Sequence, residues 1–273
     1  MMKKLLVSLL ISFLSFSIYN YHAAASPIVA PAEKLQDPNT MSVLWYQTSG
    51  EAKALYYQGY TIGRFRLDEI LAQRPQNMKL RPAIVLDIDE TILDNSPCLA
   101  FNVKTGKAFP ANWNEWVDQA IAKPVPGAIE FLKYANSKGI EIYYISNRNE
   151  NQKKATIRNL QQVGAPMADT KHVLLQKKGE KGKEVRRMKV ARTNDIILLF
   201  GDNLGDFRGF DDLTPSQRVQ AVEKRKKDFG KKLIVFPNPM YGDWEGSIYH
   251  YDLSKTAAEK AKLRKESLQI FQP

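Results

Sequence analysis

The 273-residue sequence predicts an α/β protein, a Rossmann-like parallel sheet covered by helices on both faces. Two observations carry this. Short apolar runs at residues 83–86, 140–145, 172–175, 196–200 and 233–236 alternate with longer segments of helical periodicity. Four of these runs are followed at once by polar, chemistry-bearing residues, as expected where a parallel sheet presents its carboxyl ends to a ligand.

The elements follow in order. Lys3 and Lys4 precede an apolar run over residues 5–18, and Ala23, Ala24 and Ala25 offer a small-residue cleavage site before Ser26. This is the pattern of a signal peptide over residues 1–25. As helix the run spans about 21 Å, short of a ~30 Å bilayer core. Cleavage is therefore expected, with export to the periplasm or the medium and no stable membrane anchor. Residues 26–36 read as a Pro- and Ala-rich linker. A helical segment over 37–78 opens at Asp37-Pro38-Asn39-Thr40. Within it, 51–74 places Ala52, Leu55, Tyr56, Gly59, Gly63, Leu67 and Ile70 on one stripe. Residues 79–250 form the core. An insertion at 96–126, carrying Trp113 and Trp116, is too long for a connector and reads as a lid or substrate-binding segment. Helices are expected up to Gly139, over 151–163, over 183–192 and around 216–227. The remaining segment, 251–273, reads as a C-terminal helix patterned over 256–271.

Composition narrows the partners. Lys and Arg number 40 against 29 Asp and Glu, a net charge of +11. Loss of Lys3 and Lys4 with the signal peptide leaves 38 against 29, or +9. Such a surface favours anionic partners, small phosphate esters among them. The sequence has no zinc-finger or helix-turn-helix signature, so no specific nucleic-acid partner is expected. Cys98 is the only cysteine, which rules out an internal disulfide, and it is read as a small buried hydrophobe rather than a reactive thiol. His172 and His250 with one cysteine do not make an ordinary zinc site. The oligomeric state stays open between monomer and homodimer.

The chain is organised around residues 83–95, AIVLDIDETILDN. In extended chain, residues two apart share a face, so Asp87 and Asp89 emerge together where the strand ends, roughly 7 Å apart at Cα. Two carboxylates so placed repel unless a cation or a shared proton relieves them. The other strand ends add Ser146-Asn147-Arg148, the basic segment 176–189, and Gly201-Asp202-Asn203-Leu204-Gly205-Asp206. Asp87, Asp202 and Asp206 suit a hard cation such as Mg²⁺, one per chain. Asp87 is the candidate nucleophile toward phosphorus and Asp89 the candidate acid and base. Ser146, with Asn147 beside it, and a Lys are candidates to clamp phosphoryl oxygens.

The order Asp-Ile-Asp-Glu-Thr, strand-end Ser, Lys and Gly-Asp-Asn-x-x-Asp resembles the haloacid dehalogenase superfamily. Residues 84–95 and 197–207 (ILLFGDNLGDF) are similar to the paired signatures of class C bacterial acid phosphatases. The resemblance covers roughly residues 44–244. It implies a haloacid dehalogenase-like fold with a small helical cap built from the N-terminal helices, the insertion and the C-terminal helix. It implies phosphomonoesterase activity, possible action on nucleoside 5′-monophosphates, Asp87 as nucleophile, Asp89 as acid/base, and Thr91 and Ser146 on the phosphate side. Its Mg²⁺ ligands are Asp87, Asp202, Asp206 and the Asp89 carbonyl. The phosphate-binding Lys fits Lys183 best, with Lys181 as the alternative. Trp113 and Tyr241 match the aromatic substrate clamp, whose flat faces suit a nucleobase. Three departures stand out. Cys98 replaces a usual Tyr, Gly205 replaces a frequent acidic residue, and a lipid-attachment Cys near the cleavage site is missing.

Other readings are a relative with dehalogenase or ATP-driven transport chemistry, and a non-catalytic exported nucleotide- or anion-binding protein. Asp89 argues against the former. The intact acidic set argues against the latter, since a buried strand end has no structural use for so many carboxylates.

Overall fold

A computed structural model describes residues 37–272 apart from residue 253. The expected signal peptide and linker lie outside the described residues. Helix α1 (Asp37–Thr48) runs into α2 (Gly50–Gln73), whose N-cap Ser49 accepts a hydrogen bond from the Ala52 amide at 3.1 Å. Strand β1 (Arg81–Leu86) follows. Strand β2 (Leu93–Asp94) leads into the insertion, which carries α3 (Ser96–Thr105), α4 (Trp113–Gln119) and β3 (Lys123–Pro124). Strands β2 and β3 pair antiparallel and close its base. The chain continues through α5 (Ala128–Ser137), β4 (Glu141–Asn149), α6 (Lys153–Gln162) and β5 (Val173–Gln176). Then come α7 (Glu184–Ala191), β6 (Asn194–Gly201), α8 (Pro215–Lys224), β7 (Leu233–Val235), α9 (Asp243–Ile248) and α10 (Ala257–Glu266).

Five strands form one parallel sheet in the order β5-β4-β1-β6-β7, with β1 at its centre. The apolar run of β1 is explained by its two buried faces. Ile84 and Leu86 enter a core with Tyr144, Phe200, Tyr60 and Phe131, whereas Ala83 and Val85 enter a second core with Tyr143, Leu199 and Val190. The alternation is that of any strand; here both faces are covered, so neither set is polar.

Helix α2 lies unusually close to the sheet. A Cβ on Gly59 would stand 2.4 Å from Phe236 Cε1, and one on Gly63 would stand 2.6 Å from Phe200 Cε1. The two glycines give up some helix stability, about 1 kcal/mol each, for this approach. The approach carries Tyr56 and Tyr60 under the loop after β1. Their hydroxyls donate to the carbonyls of Glu90 and Thr91.

Several boundaries differ from expectation. Leu55 is exposed at 42 %, and Tyr60 is buried in the α2 stripe instead. Strand β4 runs on to Asn149, because a register shift between Ser146 and Asn149 keeps it paired with β5. The helix expected from 151 opens with a 3₁₀ turn at Glu150–Gln152, boxed by Asn149 and Gln152. Helix α8 stops at Lys224, where the chain turns toward β7. The C-terminal segment is helical only over Ala257–Glu266. None of the residues of this helix is buried, and Leu268, Ile270 and Phe271 are exposed, so no packing extends it. Among the described residues, no helix is long and apolar enough to cross a membrane.

Candidate active site

The carboxyl ends of β1, β4 and β6 meet at a cleft of about 170 Å³. Asp87 follows β1 directly. Its amide still donates to the Phe200 carbonyl at 3.0 Å, so the nucleophile candidate sits on sheet-paired backbone. The chain then turns sharply, with Ile92 and Leu93 amides both donating to the Ile88 carbonyl and Glu90 in the left-handed region at φ 53°.

The two carboxylates of the motif share the cleft but have different cationic partners. Asp87 is held by the Lys183 ammonium, which also lies 2.6 Å from Asp206 Oδ1. Asp89 accepts from Ser146 Oγ at 3.0 Å, Asn95 Nδ2 at 2.9 Å, and Arg148 Nε and Nη2 at 2.9 and 2.7 Å. Lys183 is buried and Lys181 exposed, which decides between the two lysines for this position.

Asp87, Asp202 and Asp206 present carboxylate oxygens within 4.8 Å of one another. Three carboxylates against one ammonium leave two negative charges uncompensated. Burial, with neighbouring carboxylates, pushes Asp87 up to about 7 and Asp202 well above the ordinary range. An all-oxygen acidic set short of two positive charges fits a divalent hard cation. Asp202 is oriented by Asn238 Nδ2 at 2.8 Å and Thr91 Oγ1 at 3.3 Å. Asp206 folds back under the strand end and accepts from the Asn203 amide at 2.9 Å. Only glycine fits at Gly201, since a Cβ there would meet Asp206 Oδ2 at 2.2 Å. The Asp89 side chain is not part of this set and is engaged by Ser146, Asn95 and Arg148, so any metal role would fall to its carbonyl.

Thr91 is not brought to the cleft wall. The turn at 88–92 tucks it away, fully buried, where its hydroxyl serves Asp202. Ser146, Asn147, Trp113 and Tyr241 all line the cleft. Phe109 joins them, stacked on Tyr241 at 5.6 Å and 6° and edge-on to Trp113 at 5.4 Å.

Sequence reasoning assigned no role to Arg148, Asn95, Glu90, Phe109 or Asp243. Arg148 had a signal, because it lies two residues after Ser146 on one strand and so shares its face. Glu90 is wholly buried and joins two loops: Oε1 accepts from the Asn95 amide at 2.7 Å and Oε2 from the Tyr241 hydroxyl. Asp243, from α9, lies where a side chain on Gly205 would begin, 2.5 Å from the position of its Cβ. A side chain at position 205 would have to displace that carboxylate. Cys98 is buried outside the cleft, and burial pushes its thiol up to about 11, consistent with a packing role.

Comparison with known proteins agrees with this geometry. Residues 14–244 match the family described as HAD superfamily, subfamily IIIB (Acid phosphatase). The structure is similar to that of the class C acid phosphatase from Bacillus anthracis, with a TM-score of 0.85 and 55% identity over 88% of this chain and 100% of that one. A structure of the class C acid phosphatase from Bacillus anthracis with tungstate bound matches at the same TM-score and coverage with 56% identity. The buried strand-end aspartate, its lysine and the acidic set thus stand in a chain that belongs to the subfamily IIIB acid phosphatases of the HAD superfamily and is a phosphatase.

Proposed function

We propose that this phosphatase is an exported, Mg²⁺-dependent phosphomonoesterase that acts on nucleoside 5′-monophosphates through an aspartyl-phosphate on Asp87. The observation that carries the reading is the paired arrangement of Asp87 and Asp89. One is buried against Lys183, and the other is fixed two residues on by Ser146, Asn95 and Arg148.

An Asp87 carboxylate oxygen attacks phosphorus as the bond to the ester oxygen breaks, and the leaving oxygen takes a proton from Asp89. Water then attacks the same phosphorus and gives its proton to Asp89, which releases phosphate and restores Asp87. Lys183 favours the ionised Asp87 and so opposes the burial that raises it, and its own ammonium is held charged by Asp206 and Asp87 although burial opposes this. Ser146 and Asn147 line the wall where phosphoryl oxygens would lie. A divalent cation held by Asp87, Asp202 and Asp206 would offset repulsion between the phosphate and the carboxylates. Trp113, Tyr241 and Phe109 at the cleft mouth offer flat faces for a base.

The test is phosphate release from nucleoside 5′-monophosphates and an aryl phosphate, with chelator and after Mg²⁺ is restored, beside Asp87→Asn. Release that needs Mg²⁺ and vanishes in the variant is expected. Release by Asp87→Asn at the wild-type rate would overturn the covalent route, and release indifferent to chelation would overturn the metal requirement.

A further inference from the structure

A second concavity lies at the carboxyl end of the edge strand β5, outside the catalytic cleft. It encloses about 470 Å³, enough for a small organic ligand. Leu174 and Leu175 of β5 and Val185 and Met188 of α7 give it an apolar lining. Its cations are in excess. Lys177, Lys189 and Arg192 make no ion pair among the described residues, whereas the acidic residues of the wall are engaged. Glu150 pairs with Lys153 at 3.2 Å. Glu180 accepts from the Lys177 amide at 3.2 Å and lies 3.5 Å from Arg186 Nε.

Arg186 lines the same cavity and is 5 % exposed. Its Nε is buried without a hydrogen-bond partner. Burial holds the guanidinium below its ordinary value although Glu180, Asp87 and Glu150 oppose this. A buried guanidinium whose Nε has no hydrogen bond, beside three cations without an ion pair, is an arrangement that a dianion relieves, and a concave wall strengthens the field.

We propose that this cavity is a second anion site for a small organic phosphate, its phosphate against the Lys177, Lys189 and Arg192 rim and its apolar part on Val185 and Met188. Guanidinium and ammonium groups together favour phosphate, and the apolar wall favours an ester over the free ion. Arg186 links this site to the catalytic one. Its terminal nitrogens donate to the Ser146 and Gly182 carbonyls and, at 2.7 Å, to Asn147 Oδ1. An anion that draws on Arg186 therefore alters the phosphate side of the cleft and shifts KM. This coupling rests on the catalytic reading above; the binding itself does not.

The test is calorimetric titration of the wild-type chain and of Lys189→Glu/Arg192→Glu with phenylphosphonate, whose C–P bond is not a phosphoester. Inorganic phosphate is the second titrant. The wild type is expected to take up one equivalent more than the double variant, or to bind that equivalent at least about tenfold more tightly. Both changed residues are exposed, so phosphate release without added phosphonate stays at the wild-type rate. Inorganic phosphate is expected to bind the second site more weakly, since it covers none of the apolar wall. Equal stoichiometry and affinity in the two chains overturns the site, and equal affinity for the two titrants overturns the ester. Should the double variant not fold, Val185→Asp, at a position 62 % exposed, carries the same expectation.

Discussion

Arg148 holds Asp89 through two nitrogens that converge on one carboxylate oxygen, Nε at 2.9 Å and Nη2 at 2.7 Å. The Arg148 side chain is 1 % exposed and Asp89 14 %, so water competes little for the pair. The guanidinium also reaches Thr156 Oγ1 at 3.2 Å, Asn95 Oδ1 at 3.4 Å and the Trp113 ring at 5.6 Å. The guanidinium fork therefore sets the direction of the proposed acid/base. Arg148→Lys keeps the charge and loses the fork. We expect kcat to fall about 10²-fold with little change in KM, as for a misplaced catalytic group. Steady-state kinetics checks this, and an unchanged kcat would remove Arg148 from any positioning role.

Asp89→Asn tests the group itself. The amide oxygen can still accept from Asn95 and Arg148 while its nitrogen faces Ser146 Oγ as a donor, but the group neither donates the carboxyl proton nor takes one from water. Turnover is expected to fall about 10²–10⁴-fold. Mg²⁺ affinity should stay near wild type, because the Asp89 side chain lies outside the acidic set. Loss of metal binding in this variant would mean that the side chain reaches the cation.

The acidic set predicts opposite stability effects with and without metal. Asp87, Asp202 and Asp206 crowd one buried point, and Asp202 is pushed up chiefly by burial and next by Asp206. Without divalent cation, Asp202→Asn relieves that crowding and is expected to leave the melting temperature unchanged or raise it. With Mg²⁺ at about a hundred times its Kd, the wild type should gain about 2.7 kcal/mol, and the variant much less. Thermal melts with chelator and with Mg²⁺ read this without any turnover. A variant that gains as much as the wild type would place the cation elsewhere.

The sheet and most of the acidic site were legible because both depend on short-range patterns. Residues 83–86 had to be a strand, since four apolar residues before Asp87 are too few for a helix. Asp202 and Asp206 lay at the end of another such run. Lys183 could be narrowed only to itself or Lys181; the helix start was legible, but which lysine is buried depends on its contacts with Asp87 and Asp206, which are distant in sequence. The resemblance put Thr91 on the phosphate side, whereas the turn after Asp87 buries it with its hydroxyl on Asp202, a contact that no local pattern encodes. Asp243 and Glu90 were invisible for the same reason. Their roles arise from contacts between segments far apart in sequence, such as Glu90 with Tyr241, and no local pattern encodes such a meeting.

Gly63 offers a test of the close approach between α2 and the sheet. Alanine has the higher helix propensity, by about 1 kcal/mol. Here, however, its Cβ would stand 2.6 and 2.8 Å from two atoms of the Phe200 ring. Phe200 is 1 % exposed and packed against Phe131 at 4.9 Å, so it has nowhere to go. Overpacking costs about 1–3 kcal/mol and outweighs the propensity gain. Gly63→Ala should lower the urea midpoint, whereas Gly50→Ala, with nothing within 4 Å of its Cβ, should not. Equal behaviour of the two would mean that α2 can lift from the sheet.

The acid limb of stability should pass through Glu141 at the start of β4. Its carboxylate meets His172 Nε2 at 3.0 Å, Lys171 Nζ at 3.3 Å and Arg81 Nη1 at 3.5 Å. The His172 hydrogen bond chiefly, then Lys171, holds it below its ordinary value of 4.5. A carboxylate lowered in the folded state binds its proton less readily there than in the unfolded chain. Its contribution is therefore present above the ordinary value and is lost as pH falls through the folded one. Glu141 is partly screened, so the contribution is at most about 1 kcal/mol. Urea midpoints measured at neutral pH and again below the ordinary value should show wild type losing more stability than Glu141→Gln. Parallel losses in the two chains would mean that other carboxylates carry the acid limb.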